Sequence, residues 1–276
     1  MLFNKKRNFC DINPTTYAIS QQKEIARRHI QDFLGKEHFA KDCSHELLPN
    51  LVSSQASHLL KRGPGIDMTL QENKAVNIRL ACNSLDGLII HPGETFSFWR
   101  RIGNTTRRKG YKDGRVIIAN RLRPGLGGGL CNLSNTIHLL VLDSPMTVTE
   151  FHHHSDALAP DEGPRKPFST GTSVSYNNID YRFRNDTDQK IQLHLWCDED
   201  NLYGELRSEE PFPWTYRLVE EDHHFHKEGE KYYRISRIYR ETIDRKSGIV
   251  IEKSLLLDNH SEVMYDYSLI PQELIR

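Results

Sequence analysis

Apolar positions follow two rhythms along the chain, helical near the amino end and alternating after it. Over residues 15–34, Ile19, Ile25, Ile30, Phe33 and Leu34 recur on one helical face, with Gly35 standing where a C-cap belongs. Residues 46–61 repeat the spacing through Leu47, Leu48, Leu51, Val52, Leu59 and Leu60 and stop at Gly63-Pro64, which predicts a second helix. Residues 71–85 predict a third, and Asp86-Gly87 then turns the chain.

Beyond that turn the period falls to two. Residues 88–90, 96–98, 115–119, 147–151, 173–176, 179–184, 191–196 and 202–207 read as strands. Near the carboxyl end, 232–243 and 249–257 alternate and are joined as a hairpin by 244–248. One helix interrupts this series, over about 132–142, entered through the glycine-rich stretch 124–130. Helices first, then a mostly antiparallel β body with one embedded helix after a Gly-rich turn, make the class α+β. The expected division is an N-terminal helical region (1–68), an α+β domain (69–208) and a C-terminal β-hairpin extension (209–276).

Composition narrows the function classes. Lys plus Arg equals Asp plus Glu at 37 each in 276 residues, so there is no net positive field to favour nucleic acid. No stretch has the apolar length of a transmembrane helix or a signal peptide, which gives a cytoplasmic expectation. Five cysteines (Cys10, Cys43, Cys82, Cys131, Cys197) are scattered without a CxxC pair, against a disulfide framework or structural zinc and for free thiols. No cofactor motif is present.

The densest chemistry lies at Gly127-Gly128-Gly129-Leu130-Cys131, followed by Ser134 and His138. Three successive glycines give up conformational entropy, so a tight turn with backbone N–H groups facing a cavity would explain them. A thiol at the start of a helix sits at the positive end of its dipole, which lowers its pKa and suits a nucleophile. The alternative is a buried structural cysteine beside a close glycine contact. His152-His153-His154 offers a base, with His152 and His154 on one face of a strand, but no neighbouring acid or cysteine completes a metal set. Asp180 either orients a histidine as a third member of a Cys-His-Asp set or pairs at the surface with Arg182 and Arg184. Ser134 is a polar lining residue or a hydroxyl bonded back to its own helix. His223–His226 reads as a solvated charged loop.

Several segments together resemble the VanW family: Asn77-Ile-Arg-Leu-Ala81, Leu85 through Trp99 with its His-Pro-Gly-Glu turn, Tyr111-Lys-Asp-Gly114, Gly127 through Asn135, Phe151-His-His-His-Ser155 and Val174 through Asn185. The likeness spans roughly 70–207. It implies a cell-wall or glycopeptide-resistance setting and carries no reaction with it. Cys131 and Ser134 match the family's Gly-Gly-Gly-x-Cys-x-x-Ser element, His154 its most regular histidine, His152 a frequent second, and Asp180 the acid of a later strand. The family often has an acid where this chain has Gly171, which leaves Asp180 to orient the histidine. Two functions follow as expectations. One is a Cys131–His154(–Asp180) acyl-transfer or hydrolase site acting on a peptide of the peptidoglycan-precursor kind. The other is a non-catalytic module in which Gly127, Gly128, Gly129, Ser134 and His152 bind a muropeptide, a lipid-linked precursor or a glycopeptide.

Overall fold

The computed structural model describes residues 13–62, 66–118, 121–152, 156–157, 160, 172–176 and 179–276. Asn13 starts the first helix, accepting from the Thr16 amide while the Thr16 hydroxyl accepts from the Asn13 amide. That helix, α1 (Pro14–Leu34), turns its apolar stripe outward. Ile19, Ile30, Phe33 and Leu34 are exposed, Phe33 at 86%. Ion pairs fasten it instead, from Arg28 to Glu150 and from Asp32 to Arg182.

After β1 (His38–Phe39) comes β2 (Asn50–His58), where the residue pattern predicts a helix. Between Val52 and Leu59 the only apolar residue is Ala56, so a helix would run nearly two turns without a face to bury. The stretch pairs antiparallel with a distant strand, and tertiary pairing wins over local spacing. Next is α2 (Met68–Leu85), capped by the Asp67 side chain. It is followed by β3 (Leu88–Ile90), β4 (Glu94–Ser97) and the short α3 (Phe98–Ile102). A two-stranded hairpin, β5 (Asp113–Ile118) and β6 (Arg121–Leu126), leads into α4 (Leu130–Leu142). Pro124 and Gly125, read as part of a turn, lie in β6, a hairpin edge where the missing proline N–H is harmless.

The remaining strands are β7 (Thr147–Glu150), β8 (Asp156–Ala157), β9 (Arg182–Arg184), β10 (Ile191–Cys197) and β11 (Asn201–Ser208). Three long strands close the chain, β12 (Trp214–Glu228), β13 (Lys231–Asp244) and β14 (Val250–Val263). His223–His226 lies in β12 and not in a loop, opposite β13. Residues 173–176 form no strand of their own, only a Ser175–Ile179 bridge.

Three sheets hold these strands, in the orders β1-β4-β9-β7, β2-β11-β10-β3 and β12-β13-β14-β8. Helix α4 is buried nearly all round between the first two, as a helix apolar on most faces must be. Ser53 of β2 donates to the Leu140 carbonyl, and Gly204 of β11 lets Leu140 approach so closely that a Cβ there would lie 2.8 Å from its methyl. One apolar core runs from Ala40 to Phe212 through α2, α4 and both sheets. Leu139 and Leu142 of α4 also meet Ile238, Leu218 and Leu257 of the third sheet. Among the described residues no helix is long and apolar enough to cross a membrane.

Candidate functional site

The glycine run answers first to packing. Gly128 presses its backbone on Gly114 at the base of the β5–β6 hairpin, and a Cβ on Gly128 would lie 2.3 Å from the Gly114 carbonyl carbon. Asn77 of α2, fully buried, locks this crossing by donating to the Gly128 and Lys112 carbonyls (2.9 and 3.0 Å) and accepting from the Lys112 amide (2.8 Å). Gly129 is the N-cap of α4 at φ 100°, a left-handed conformation that suits glycine, and among the described residues no side chain caps the helix. The stem of Lys74 lies against Gly129, where a Cβ would stand 2.3 Å from the lysine Cγ. Lys74 Nζ is 3.5 Å from the His58 carbonyl, which also accepts from Asn132 in the first turn of α4. Burial, with Lys61 and Arg115 as like charges nearby, pushes the Lys74 ammonium down to about 8.

Cys131 is the second residue of α4. Its Sγ is 4.0 Å from the Val174 carbonyl, and burial pushes its thiol up, not down as the helix dipole alone would. Deeper along the helix, Ser134 is fully buried and its hydroxyl has no hydrogen-bond partner among the described residues, its own helix included. His138 stacks on Phe151 (ring centroids 4.1 Å apart) and its Nδ1 is 3.1 Å from the Tyr181 hydroxyl. Burial pushes this histidine down to about 3 and holds the Tyr181 hydroxyl well above its ordinary value.

Residues 172–176 cross the start of α4. Thr172 donates to Asn135, Val174 lies over Cys131, and the Ser173 amide donates to the His152 carbonyl (2.7 Å). Cys131 and His152 thus flank one short segment. His154 and His153, together with Gly171, lie outside the described residues. An acid does meet His152, but it is Glu150, with Oε1 3.1 Å from Nε2. Glu150 also takes both terminal nitrogens of Arg28 and the Asp180 amide. Burial works to raise its carboxyl, yet those partners hold it below its ordinary value.

Asp180 is buried, not at the surface. Its carboxylate accepts from the Ser97 hydroxyl (2.6 Å), the Trp99 and Tyr181 amides and Arg182 Nε (2.8 Å). Arg182 then forks onto Asp32 of α1 at 2.8 and 2.9 Å. Its burial works against the charge, and Asp32 and Asp180 outweigh it, so the guanidinium is held above its ordinary range. Among the described residues Asp180 is linked to His152 through Glu150, which accepts from the Asp180 amide. Two contributors escape the residue pattern. Glu150 was legible as the residue two before His152 on one strand face. Lys74 was legible as the residue three before Asn77 on one helix face.

A family model described as VanW like protein matches residues 73–207. The chain is 29% identical over 227 residues to Vancomycin B-type resistance protein VanW of Enterococcus faecalis, which covers 82% of each chain. It is 29% identical over 151 residues to Uncharacterized protein YoaR of Bacillus subtilis, covering 53% of this chain and 48% of that one. No solved structure matches.

Proposed function

We propose, from the match of residues 73–207 to the VanW like protein family model, that the chain works in glycopeptide resistance or cell-wall metabolism as a binding module for an anionic peptidoglycan precursor, a muropeptide carried on phosphate or diphosphate. The setting rests on the name of the Enterococcus faecalis relative. The binding chemistry rests on the amino end of α4, which carries no side-chain cap and has Lys74 packed on its N-cap glycine, beside Lys61 and Arg115. Free helix N–H groups and ammonium or guanidinium groups together suit phosphate oxygens. An incoming anion would also offset the burial and the like charges of Lys61 and Arg115 that together depress Lys74. In this reading Cys131 and the glycines shape the floor, and Asp180 and Arg182 brace the wall.

The acyl-transfer reading, with Cys131 as nucleophile and His154 and Asp180 behind it, keeps one favourable feature, the place of Cys131 in the first turn of α4. Burial of the thiol and the commitment of Asp180 to Ser97, Trp99 and Arg182 favour binding over reaction.

The test is a calorimetric titration with a muramyl pentapeptide carried on a nucleotide diphosphate, against the same muropeptide freed of phosphate. The diphosphate form should bind. Lys74→Gln should weaken it about tenfold or more, the worth of one hydrogen bond to a charged group, and affinity should fall as pH rises through about 8. Cys131→Ser should bind as wild type does. Equal binding of the phosphate-free form, or an unaffected Lys74→Gln, overturns the proposal. Turnover of the peptide that disappears in Cys131→Ser would put the acyl-transfer reading in its place.

A further inference from the structure

Away from α4, two cysteines that the proposed function does not use face each other. Cys82, in the last turn of α2, is buried at 3% exposure, and Cys197, the last residue of β10, is half-buried. Their sulfurs are 4.0 Å apart. Contacts on both sides hold the two elements in this register. One turn before Cys82, Arg79 donates to the Asp198 and Glu199 carbonyls at 2.7 and 3.2 Å. One turn after it, the Asp86 carboxylate takes the Leu195 amide at 2.9 Å and His194 at 2.7 Å.

We propose that Cys82 and Cys197 are an oxidisable dithiol, a modification site that takes a hydroperoxide as its oxidant and closes to an intramolecular disulfide. The two thiols are unlike in the way such chemistry needs. The hydrogen bond from Cys82, with Arg79 nearby, holds the Cys197 thiol below its ordinary value, while the same bond and burial hold Cys82 well above it. Cys197 is also the more accessible of the two.

Cys197 thiolate attacks the distal oxygen of the hydroperoxide. An S–O bond forms, the O–O bond breaks, and the leaving alkoxide or hydroxide takes a proton, giving a sulfenic acid and an alcohol or water. Cys82 sulfur then attacks the sulfenic sulfur. The S–S bond forms as the S–O bond breaks, and the departing hydroxide leaves as water with the Cys82 proton. Two thiols give up two electrons and two protons, and the peroxide takes them. Closing from 4.0 Å to a sulfur–sulfur bond asks the side chains for a movement of about 2 Å. Arg79 and Asp86 hold the two elements side by side through this movement. The bridge would tie α2, which carries Asn77 and Lys74, to β10, and so stiffen the support of the α4 amino end.

Full-length protein treated with stoichiometric hydrogen peroxide, alkylated and digested, should lose two free thiols and yield one cross-linked peptide joining Cys82 to Cys197, lighter than its parts by two hydrogens. Dithiothreitol should reverse it, and the oxidised protein should melt at higher temperature. In Cys82→Ala, dimedone should trap a sulfenic acid at Cys197, and in Cys197→Ser, Cys82 should stay alkylatable. The proposal is overturned if wild-type Cys82 remains alkylatable while Cys197 is oxidised, or if cross-links to Cys43 or Cys131 form as readily. The wild-type digest decides the matter even if Cys82→Ala folds poorly.

Discussion

Two polar regions meet across residues 172–176, and they handle charge in opposite ways. On the α4 side, burial strips charge away. The Cys131 thiol is pushed up, His138 is pushed down to about 3, and Ser134 is sealed with no hydrogen-bond partner among the described residues. On the β7–β9 side, charge is concentrated and matched, with Arg182, Asp180, Glu150, Arg28 and Asp32 joined into one network reaching from the core to α1. The contrast separates what the molecule uses for shape from what it leaves open for a ligand. The charges of the network are matched by opposite charges, whereas Lys74, beside the amino end of α4, meets the neutral His58 carbonyl and the like charges of Lys61 and Arg115.

The largest expected break in this comparison is Arg182→Ala. It would take the shared cation from the buried Asp180 and the partly buried Asp32, and urea unfolding should show a loss of about 3–5 kcal/mol, the usual effect of orphaning a buried charge. Smaller is Gly128→Ala, which sets a methyl against the Gly114 backbone. Both sides of that contact are backbone, with no flexible side chain to give way, so about 2–3 kcal/mol should be lost.

Smaller again is a pH effect on the other region. The folded His138 pKa of about 3 lies below the unfolded value of about 6.5, so the unfolded chain takes up a proton that the folded one refuses. Stability is therefore full above pH about 6.5 and drains as pH falls toward 3. Between pH 7 and pH 5 this one residue should remove about 2 kcal/mol. His138→Phe, which keeps a ring on Phe151, should lessen the pH slope by that amount in paired urea titrations. An unchanged slope would mean that the buried ring is protonated in the fold.

How far this was legible follows the range of each interaction. Helices α2 and α4 carry their signal within one turn, and the hairpin from β13 to β14 announces itself through its turn residues. The strand β2 does not, because its partner β11 lies far along the chain and nothing local between Val52 and Leu59 asks for a ladder. Similarly, β12 escaped because its run of His, Glu and Asp suits a ribbon with much of both faces wet and equally suits a loop. For the site, Cys131 stands out at once, since glycines before a helix-opening cysteine are rare company. Its burial could not be read, because it depends on Val174 arriving from elsewhere in the chain. Asp180 beside Arg182 reads as a surface pair until Ser97 and Asp32, both distant in sequence, are seen to enclose it.

Binding and reaction part on whether the α4 end carries a neutral thiol at its floor. The direct measurement is the pH dependence of iodoacetamide labelling at Cys131 in the native protein, read peptide by peptide against Cys43, which is exposed. Slow labelling at Cys131, with a midpoint above the free-thiol value of about 8.5, is the predicted result. Fast labelling with a midpoint well below that value, lost in His154→Ala or His152→Ala, would contradict the account and make Cys131 a nucleophile.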